Sequence, residues 1–505
     1  MGHCVMVNIP SEYLNLCNML TSRGVPDSLY GRELSLWDRV DLYGKDYLIY
    51  QPKSDGDVTP IDLSKSIVTA NFKPFPVEIE KIAPALEFLG DQEMAWGKIE
   101  SWLKQKEDPY FVLKGPAGTG KTHLLYMLSL LKQHKVHFCA PTNKATKVLS
   151  KLVQTEAKTI YSLLGLRMEQ KEDKLELTIP KNRPHIKRGS IIVLDECSMV
   201  GSQLLDILFE AVALYGIKIL FSGDSYQLPP IGEKASKAWK TTVNPNHRAN
   251  MRKVIRFGDQ ILGMALRIRK VIKDRNFSAQ PPIYSDNDGT KGIWALDDFD
   301  FKKRLLTEAD APEVFRDIKV ICWRNKTVDY WTKLIRKKLG FTKSYEVGDL
   351  LMLAAPYMDG DDILAHIDDE GVVLEVSQGN YTVDGIKVPV YFVLLDLGDN
   401  RLQLRIPIKE DDTLDRYLAI LAKDARNSRK NYERALLWKK FWGVKNQFHS
   451  CRFSYSLTCH RIQGTTLTTT YTCVSDIMAN MLNPLESYQC LLTGTTRATT
   501  RVITN

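Results

Sequence analysis

Apolar residues recur along this chain in two rhythms. In the first, short unbroken apolar runs end on polar residues and give way to stretches where leucine returns at helical spacing. "YFVLKG" before "KTHLLYMLSLLKQ", "VHFCAPTNKATKVLS", "SIIVLDECSMV", "KILFSGDSYQLPPI" and "VICWRNKTVDYWTKLIRKKL" are all of this kind. A run without alternation is what a strand buried on both faces requires. Such strands alternating with helices predict a parallel α/β sheet whose site lies along the carboxyl edge of the strands. The second rhythm has period two and fills 346–408, where "YTVDGIKVPVYFVLLDLGDNRLQLRIPI" is punctuated by Asp384-Gly385 and Gly398-Asp399-Asn400. Those are hairpin residues, and they predict a small β-barrel inserted in a second α/β unit. Residues 411–442 read helical, and the first rhythm resumes at "FSYSLTCHRIQGTTL" and "YQCLLTGTTRATTRV".

The fold class expected is therefore α/β, with two parallel-sheet units, the inserted barrel and an extra N-terminal module. The 505 residues divide into 1–75, an aromatic-rich, strand-like module; 76–249, the first α/β unit with an inserted hairpin at about 165–190; 250–345, the opening of the second unit; 346–450, the barrel and a helical arm; and 451–505, the rest of the second unit. A content of 44% hydrophobic and 26% charged residues fits a globular chain. Nine scattered cysteines without a C-x-x-C pair indicate neither a disulfide framework nor a zinc ribbon, which fits a reducing compartment. With no secretory signal and no apolar stretch of bilayer length, a soluble cytoplasmic protein without a membrane partner is expected. The net charge of +9 is uneven: 252–273 carries seven Lys/Arg against one acid and 423–452 nine against two. That asymmetry suits a polyanionic partner, and a solvated helix face produces it equally well.

The chemistry enters at "GPAGTGKT". Glycines at 115, 118 and 120 let backbone N–H groups close around phosphate oxygens, Lys121 brings positive charge to them, and Thr122 is placed to ligate Mg²⁺. Asp195 ends an apolar strand, where an acid can hold Mg²⁺ through its water. Glu196 beside it can orient or deprotonate the water that attacks a γ-phosphate.

In order, "GPAGTGKT", "APTNKATKVL", "TIYSLLG", "VLDECSM", "GDSYQLPPI", "LTCHRIQGTTL" and "LLTGTTRAT" resemble the helicase motifs of superfamily 1, B type, most of all those of the Dda-like and RecD-like enzymes. The resemblance spans about 85–505 and leaves the first 75 residues unplaced. It implies two RecA-like domains with ATP and Mg²⁺ between them, an SH3-like barrel as the insert, and a DNA helicase moving 5′ to 3′ on single-stranded DNA, in phage-type replication, recombination or repair. Carried over by position, Gln92 resembles the adenine-reading glutamine, Gln227 the γ-phosphate sensor, Arg256 and Arg497 the arginine fingers, and Gly464 a nucleotide-side glycine. Arg248 in "NHRAN" competes with Arg256. Pro141, Thr142, Tyr161, Thr458, His460 and Gln463 fall where the family meets DNA, Tyr161 standing where histidine is frequent. The expected partners are single-stranded and forked DNA and replication proteins such as a single-strand-binding protein. The hairpin carries Met168 and Leu175 but no aromatic wedge. Two other readings stay open: a translocase that displaces bound proteins with little unwinding, and a nucleotide-dependent switch. The basic segment 423–452 either extends the DNA track, with Lys439 and Lys440 on phosphates and Trp438 or Trp442 on bases, or packs as a brace.

Overall fold

The computed structural model describes residues 41–43, 46–48 and 88–505, apart from short stretches at 89, 106–107, 117, 132–133, 172–173, 179–185, 231, 243, 254–259, 279, 360–361 and 399. The module expected over 1–75 lies outside the described residues except for the antiparallel pair Asp41–Tyr43 and Asp46–Leu48.

Six parallel strands form the first sheet, in the spatial order Arg248–Asn250, Tyr110–Lys114, Lys218–Gly223, Ile191–Leu194, Val136–Ala140, Ala157–Thr159. The unbroken apolar runs have their reason here. Tyr110, Val112, Ile192, Leu194, Ile219 and Phe221 enter one core, while Phe111, Leu113, Ile191, Val193 and Leu220 enter another. Whichever way the pleat turns a side chain, it is buried. Helix Ser202–Tyr215 closes one face with Leu204, Leu205, Leu208 and Val212. Helices Gln92–Lys104 and Lys121–Ser129 close the other with Ile99, Trp102, Leu124 and Leu128. The hairpin expected at 165–190 is present as Arg167–Lys171 paired with Lys174–Thr178.

The chain leaves this sheet after Met251, whose N–H donates to the Lys114 carbonyl at 2.8 Å. It next packs, as helix Gln260–Asp274, on the second sheet. That sheet is ordered Asp286–Asn287, Gly292–Ala295, Ala498–Thr504, Leu467–Thr472, Ile318–Cys322, Ser456–Thr458 and is parallel except at the Asp286–Asn287 edge. The same two-faced burial recurs. Ile293, Ile321 and Val502 share a core with residues of helix Pro484–Arg497, and Val320, Cys322 and Ile503 share another with helices Asp298–Glu308 and Asn325–Lys338.

Five antiparallel strands make the insert, ordered Arg401–Pro407, Ile386–Asp396, Glu370–Val383, Leu350–Leu353, Cys451–Phe453. Asp384 and Gly385 turn with φ of +50° and +83°, the doubly positive geometry of a two-residue hairpin. One edge strand, Arg401–Pro407, is bonded to the segment that leads into the other. The His449 N–H donates to the Arg405 carbonyl at 2.8 Å, and the Arg405 N–H donates to His449 Nδ1 at 3.0 Å. Helices Thr413–Asn427 and Asn431–Lys445 pair with each other and lay Leu414, Leu418 and Val444 on Val383, Val388 and Val390. Trp438 packs on Ala422 and Ala425, and Trp438 and Trp442 are only 6% and 4% exposed. They are not available to stack bases, and their packing is that of a brace.

Buried charge pins the insert to the second sheet. Lys319, wholly enclosed, donates to Glu370 Oε2 at 2.7 Å and to the Ser454 carbonyl at 2.6 Å, and burial lowers its pKa to about 8 against the pull of Glu370. Asp349 accepts from Arg336 Nη2 at 2.8 Å and from the Tyr455 hydroxyl at 3.0 Å. No helix among the described residues is long and apolar enough to cross a membrane.

Candidate active site

The first sheet delivers its polar residues at the carboxyl edge of the strands. Beyond Tyr110–Lys114, the Gly115 N–H donates to the Gly223 carbonyl at 3.1 Å. A Cβ at 115 would lie 2.8 Å from Thr119 Oγ1 and 3.0 Å from the Met251 carbonyl, so only glycine fits. Gly118 and Gly120 take φ of +80° and +83°, which L side chains rarely adopt, and steer the backbone into the amino end of helix Lys121–Ser129. No side chain caps that end, so its first N–H groups remain for an anion. Lys121 Nζ lies along the loop, donating to the carbonyls of Gly115 at 2.7 Å and Pro116 at 2.9 Å. Thr122 is the second residue of the helix.

Strand Ile191–Leu194 leads into Asp195, whose N–H donates to the Cys139 carbonyl at 2.9 Å, and Glu196. Glu196 takes a left-handed φ of +52°, a strain of roughly 1–2 kcal/mol for a residue with a side chain. The turn brings its carboxylate within 3.4 Å of Arg497 Nη1. Arg497 closes helix Pro484–Arg497 on the second sheet, so the contact joins the two units. Burial raises the Glu196 pKa, Arg497 pulls it back, and the neighbouring Asp195 raises it further. A carboxylate made more basic in this way is a better proton acceptor. Among the described residues, Arg497 Nε and Gln227 Oε1 are buried without hydrogen-bond partners, so each retains capacity for a substrate or water.

The loop after Lys218–Gly223 is held from across the cleft at three points. The Gln227 carbonyl accepts from Gln489 Nε2 at 3.3 Å, and the Leu228 carbonyl accepts from Gln463 Nε2 at 3.1 Å. Buried Asp224 pairs with Arg269 of helix Gln260–Asp274, whose guanidinium stacks 4.3 Å from the Tyr226 ring. Gln227 is expected in this site and Gln463 on the DNA path; Arg269 and Gln489 are expected in neither. Arg269 was visible only as one charge in a basic stretch, and Gln489 had no signal of its own.

A second edge lies beside this cleft. Thr142 Oγ1 accepts from the Ala145 N–H at 3.3 Å and caps helix Asn143–Val153, after half-buried Pro141. Gly464, expected beside the nucleotide, packs against Thr142 and Ala145 at this edge. Its φ is +74°, and a Cβ on it would lie 2.9 Å from Thr142 Oγ1 and 3.1 Å from Ala145 Cβ. The Thr458 carbonyl accepts from the Arg461 N–H at 3.0 Å. His460 Nε2 stands 3.9 Å from Glu486 Oε1, and burial lowers its pKa. Tyr161 is half-buried against the first core, and burial raises its pKa.

Gln92 is buried at the start of helix Gln92–Lys104. Before it, Asp91 accepts from the backbone of Arg252 and, at 2.8 Å, of Lys253, and these bonds hold its carboxyl below the usual range. Arg256 lies outside the described residues. Its competitor Arg248 belongs to the first sheet and donates to the Trp239 carbonyl at 3.0 Å, so it does not reach from the second unit.

A family model described as an AAA domain matches residues 99–276. The chain is 27% identical over 404 residues to the ATP-dependent DNA helicase Dda of Enterobacteria phage T4, covering 74% of this chain and 89% of that protein. It is 33% identical over 171 residues to the ATP-dependent DNA helicase PIF1 of Saccharomyces cerevisiae (strain YJM789), covering 28% of this chain and 19% of that one. Among solved structures, the Pif1 helicase of Candida albicans aligns with a TM-score of 0.41 at 16% identity, covering 83% of this chain and 94% of that chain. With the phosphate loop, the Asp195-Glu196 pair and the Thr458–Gly464 segment in place, the chain carries an AAA domain and is similar along most of its length to a Dda-type ATP-dependent DNA helicase and, over a shorter stretch, to the Pif1 helicases.

Proposed function

We propose that this chain is an ATP-driven motor that translocates 5′ to 3′ on single-stranded DNA and unwinds duplex ahead of it. The observation that carries the reading is the 3.4 Å approach of Arg497, from the second unit, to Glu196 of the first. An arginine that completes the site only when both units meet makes hydrolysis depend on their closure.

In this mechanism the N–H groups of the 115–120 loop and the Lys121 ammonium hold the β- and γ-phosphates, Lys121 exchanging loop carbonyls for phosphate oxygens. The hydroxyl and carboxylate of Thr122 and Asp195 are hard oxygen donors of the type Mg²⁺ takes; the ion would supply neutralisation of phosphate charge. Glu196 accepts the proton of the attacking water, Gln227 orients that water through its free Oε1, and Arg497 stabilises the charge that develops on the transferred phosphoryl. Gln92 reads the base. The loop 224–228 reports the outcome, because Arg269, Gln463 and Gln489 hold it from the second unit. Pro141, Thr142, Tyr161, Thr458, His460 and Gln463 line the strand's path. Direction rests on the family. Forked DNA, a single-strand-binding protein and a cytoplasmic setting complete the proposal.

The test compares ATP turnover with and without single-stranded DNA in the wild type and in Glu196→Gln, then unwinding of partial duplexes with a 5′ or a 3′ tail. Stimulation by DNA, lost in Glu196→Gln while nucleotide binding persists, and unwinding from the 5′ tail alone are expected. Turnover indifferent to DNA would overturn the motor, and unwinding from the 3′ tail would overturn the direction.

A further inference from the structure

Three parts of the molecule meet at a crevice lined by Thr142, Asn143 and Lys144 of the first unit, Arg461 of the second, and Asp368 and Asp369 of the insert. Both carboxylates are held in place. Asp368 Oδ1 accepts from Arg461 Nη1 at 2.6 Å, on a backbone with φ of +67°. Burial raises its pKa, and Arg461 and Lys144 are the leading influences that offset the cost. Asp369 accepts from Asn143 Nδ2, at 3.4 Å to each oxygen, and from the His366 N–H at 2.8 Å. Asn143 and Lys144 open helix Asn143–Val153, so two anions sit against a helix amino end flanked by a lysine and an arginine. A nucleic-acid phosphate seeks that same environment. Thr142 and His460, both assigned to the DNA path above, line the same crevice.

We propose that the Asp368-Asp369 turn is an internal stand-in for a DNA phosphate: it closes part of the single-strand path in the DNA-free chain and is displaced when DNA enters. The inference rests on the DNA-motor reading. It makes the insert responsive to strand occupancy, because phosphates that capture Lys144 and Arg461 release the turn from both units. A simple structural latch would behave in the opposite way, since weakening it would loosen the DNA path and weaken binding.

The test is equilibrium binding of fluorescein-labelled oligo-dT to the full chain, followed by anisotropy at several salt concentrations, for the wild type and for Asp368→Asn with Asp369→Asn. Asparagine tolerates the left-handed backbone at 368 and still accepts from the His366 N–H at 369. Removing the two anions is expected to tighten binding roughly three- to tenfold. It should also steepen the dependence of log affinity on log salt by about 0.7 for each cation freed. Unchanged or weaker binding by a variant that melts normally overturns the proposal. If the double variant melts early, Asp369→Asn alone, which touches only Asn143 and its own turn, must still tighten binding by about twofold; failure there also overturns it. A wild type that binds no oligo-dT at low salt sinks the motor reading itself, whereas a variant no tighter than a DNA-binding wild type removes only the phosphate stand-in.

Discussion

Alanine at Gly464 separates backbone strain from closure of the two units. The φ of +74° imposes a strain of roughly 1–2 kcal/mol on any residue with a side chain. The new methyl would also lie 2.9 Å from Thr142 Oγ1 and 3.1 Å from Ala145 Cβ. Ordinary contacts start near about 3.5 Å, so the units must part by about half an ångström where they meet. Gly340 supplies the control. Its φ is +84° and nothing lies within 4 Å of a Cβ built on it, so Gly340→Ala carries the strain without the collision. Thermal unfolding should shift by a similar few degrees in both variants, about 2–4 °C per kcal/mol for a domain of this size. Only Gly464→Ala should lose DNA-stimulated ATP turnover, by roughly tenfold, because a displacement of about 1 Å in a catalytic arrangement can cost about a hundredfold. Turnover in Gly464→Ala equal to that of Gly340→Ala would refute the view that this contact forms during the cycle.

Arg497→Lys keeps the charge but loses the planar fork, and ATP turnover should fall by about a hundredfold or more while oligo-dT affinity stays near wild type; a loss under tenfold would remove Arg497 from the chemistry. His449 must be neutral to accept the Arg405 N–H, and burial lowers its pKa to about 4. The unfolded chain therefore takes up the proton first, so this contribution to stability is complete above about pH 6.5 and is lost as pH falls toward 4. Denaturant titrations between pH 7.5 and 4.5 should show a shallower decline in His449→Gln than in the wild type, and parallel curves would contradict the assignment. Lys319→Met leaves Glu370 and the Ser454 carbonyl without their buried donor and should cost about 3 kcal/mol, much of it recovered in Lys319→Met/Glu370→Met; an additive double variant would mean that the pair is not coupled. Because Lys440 is bound to Asp384 at 2.8 Å and the arm's tryptophans are buried, Lys439→Ala/Lys440→Ala should leave the salt dependence of DNA binding unchanged. A slope shallower by about 0.7 per lysine would put the arm on the DNA path.

Features that depend on neighbours in sequence were legible before the structure. Apolar runs such as "IIVL" and "ILFS" announce burial on both faces, because a half-exposed strand alternates. Asp384-Gly385 announces its hairpin through the positive φ it tolerates. The phosphate loop and Asp195-Glu196 are likewise local, a few residues at the end of a strand. What escaped is made by distant partners. Asp224 meets Arg269 from 45 positions away, and Gln227 meets Gln489 from 262 positions away. An arginine or glutamine on a helix carries no local mark of the loop it will reach. Trp438 and Trp442 were ambiguous for another reason: tryptophan among lysines suits a base-stacking surface as well as a packed brace, and only the Ala422–Ala425 surface beneath Trp438 decides. Gly464 was visible as a glycine in a motif, but which neighbour required it to be glycine became clear only when Thr142 and Ala145 stood against it.

The strands Leu350–Leu353 and Cys451–Phe453 lie side by side, with Leu353 opposite Cys451. The polypeptide therefore departs and comes back at almost the same point, so the excursion from 354 to 450 begins and ends across one rung of a ladder. Paired antiparallel residues are only about 5 Å apart, a gap that a two-residue turn closes. The far end of the excursion, away from the Asp368–Glu370 anchors, can therefore lengthen or shrink without altering the path of any strand in the parallel sheet beneath it. In descent, the two layers are free to change at different tempos: the parallel sheet and the anchored turn are held to their geometry, while the distal hairpin and the helical pair can be recast.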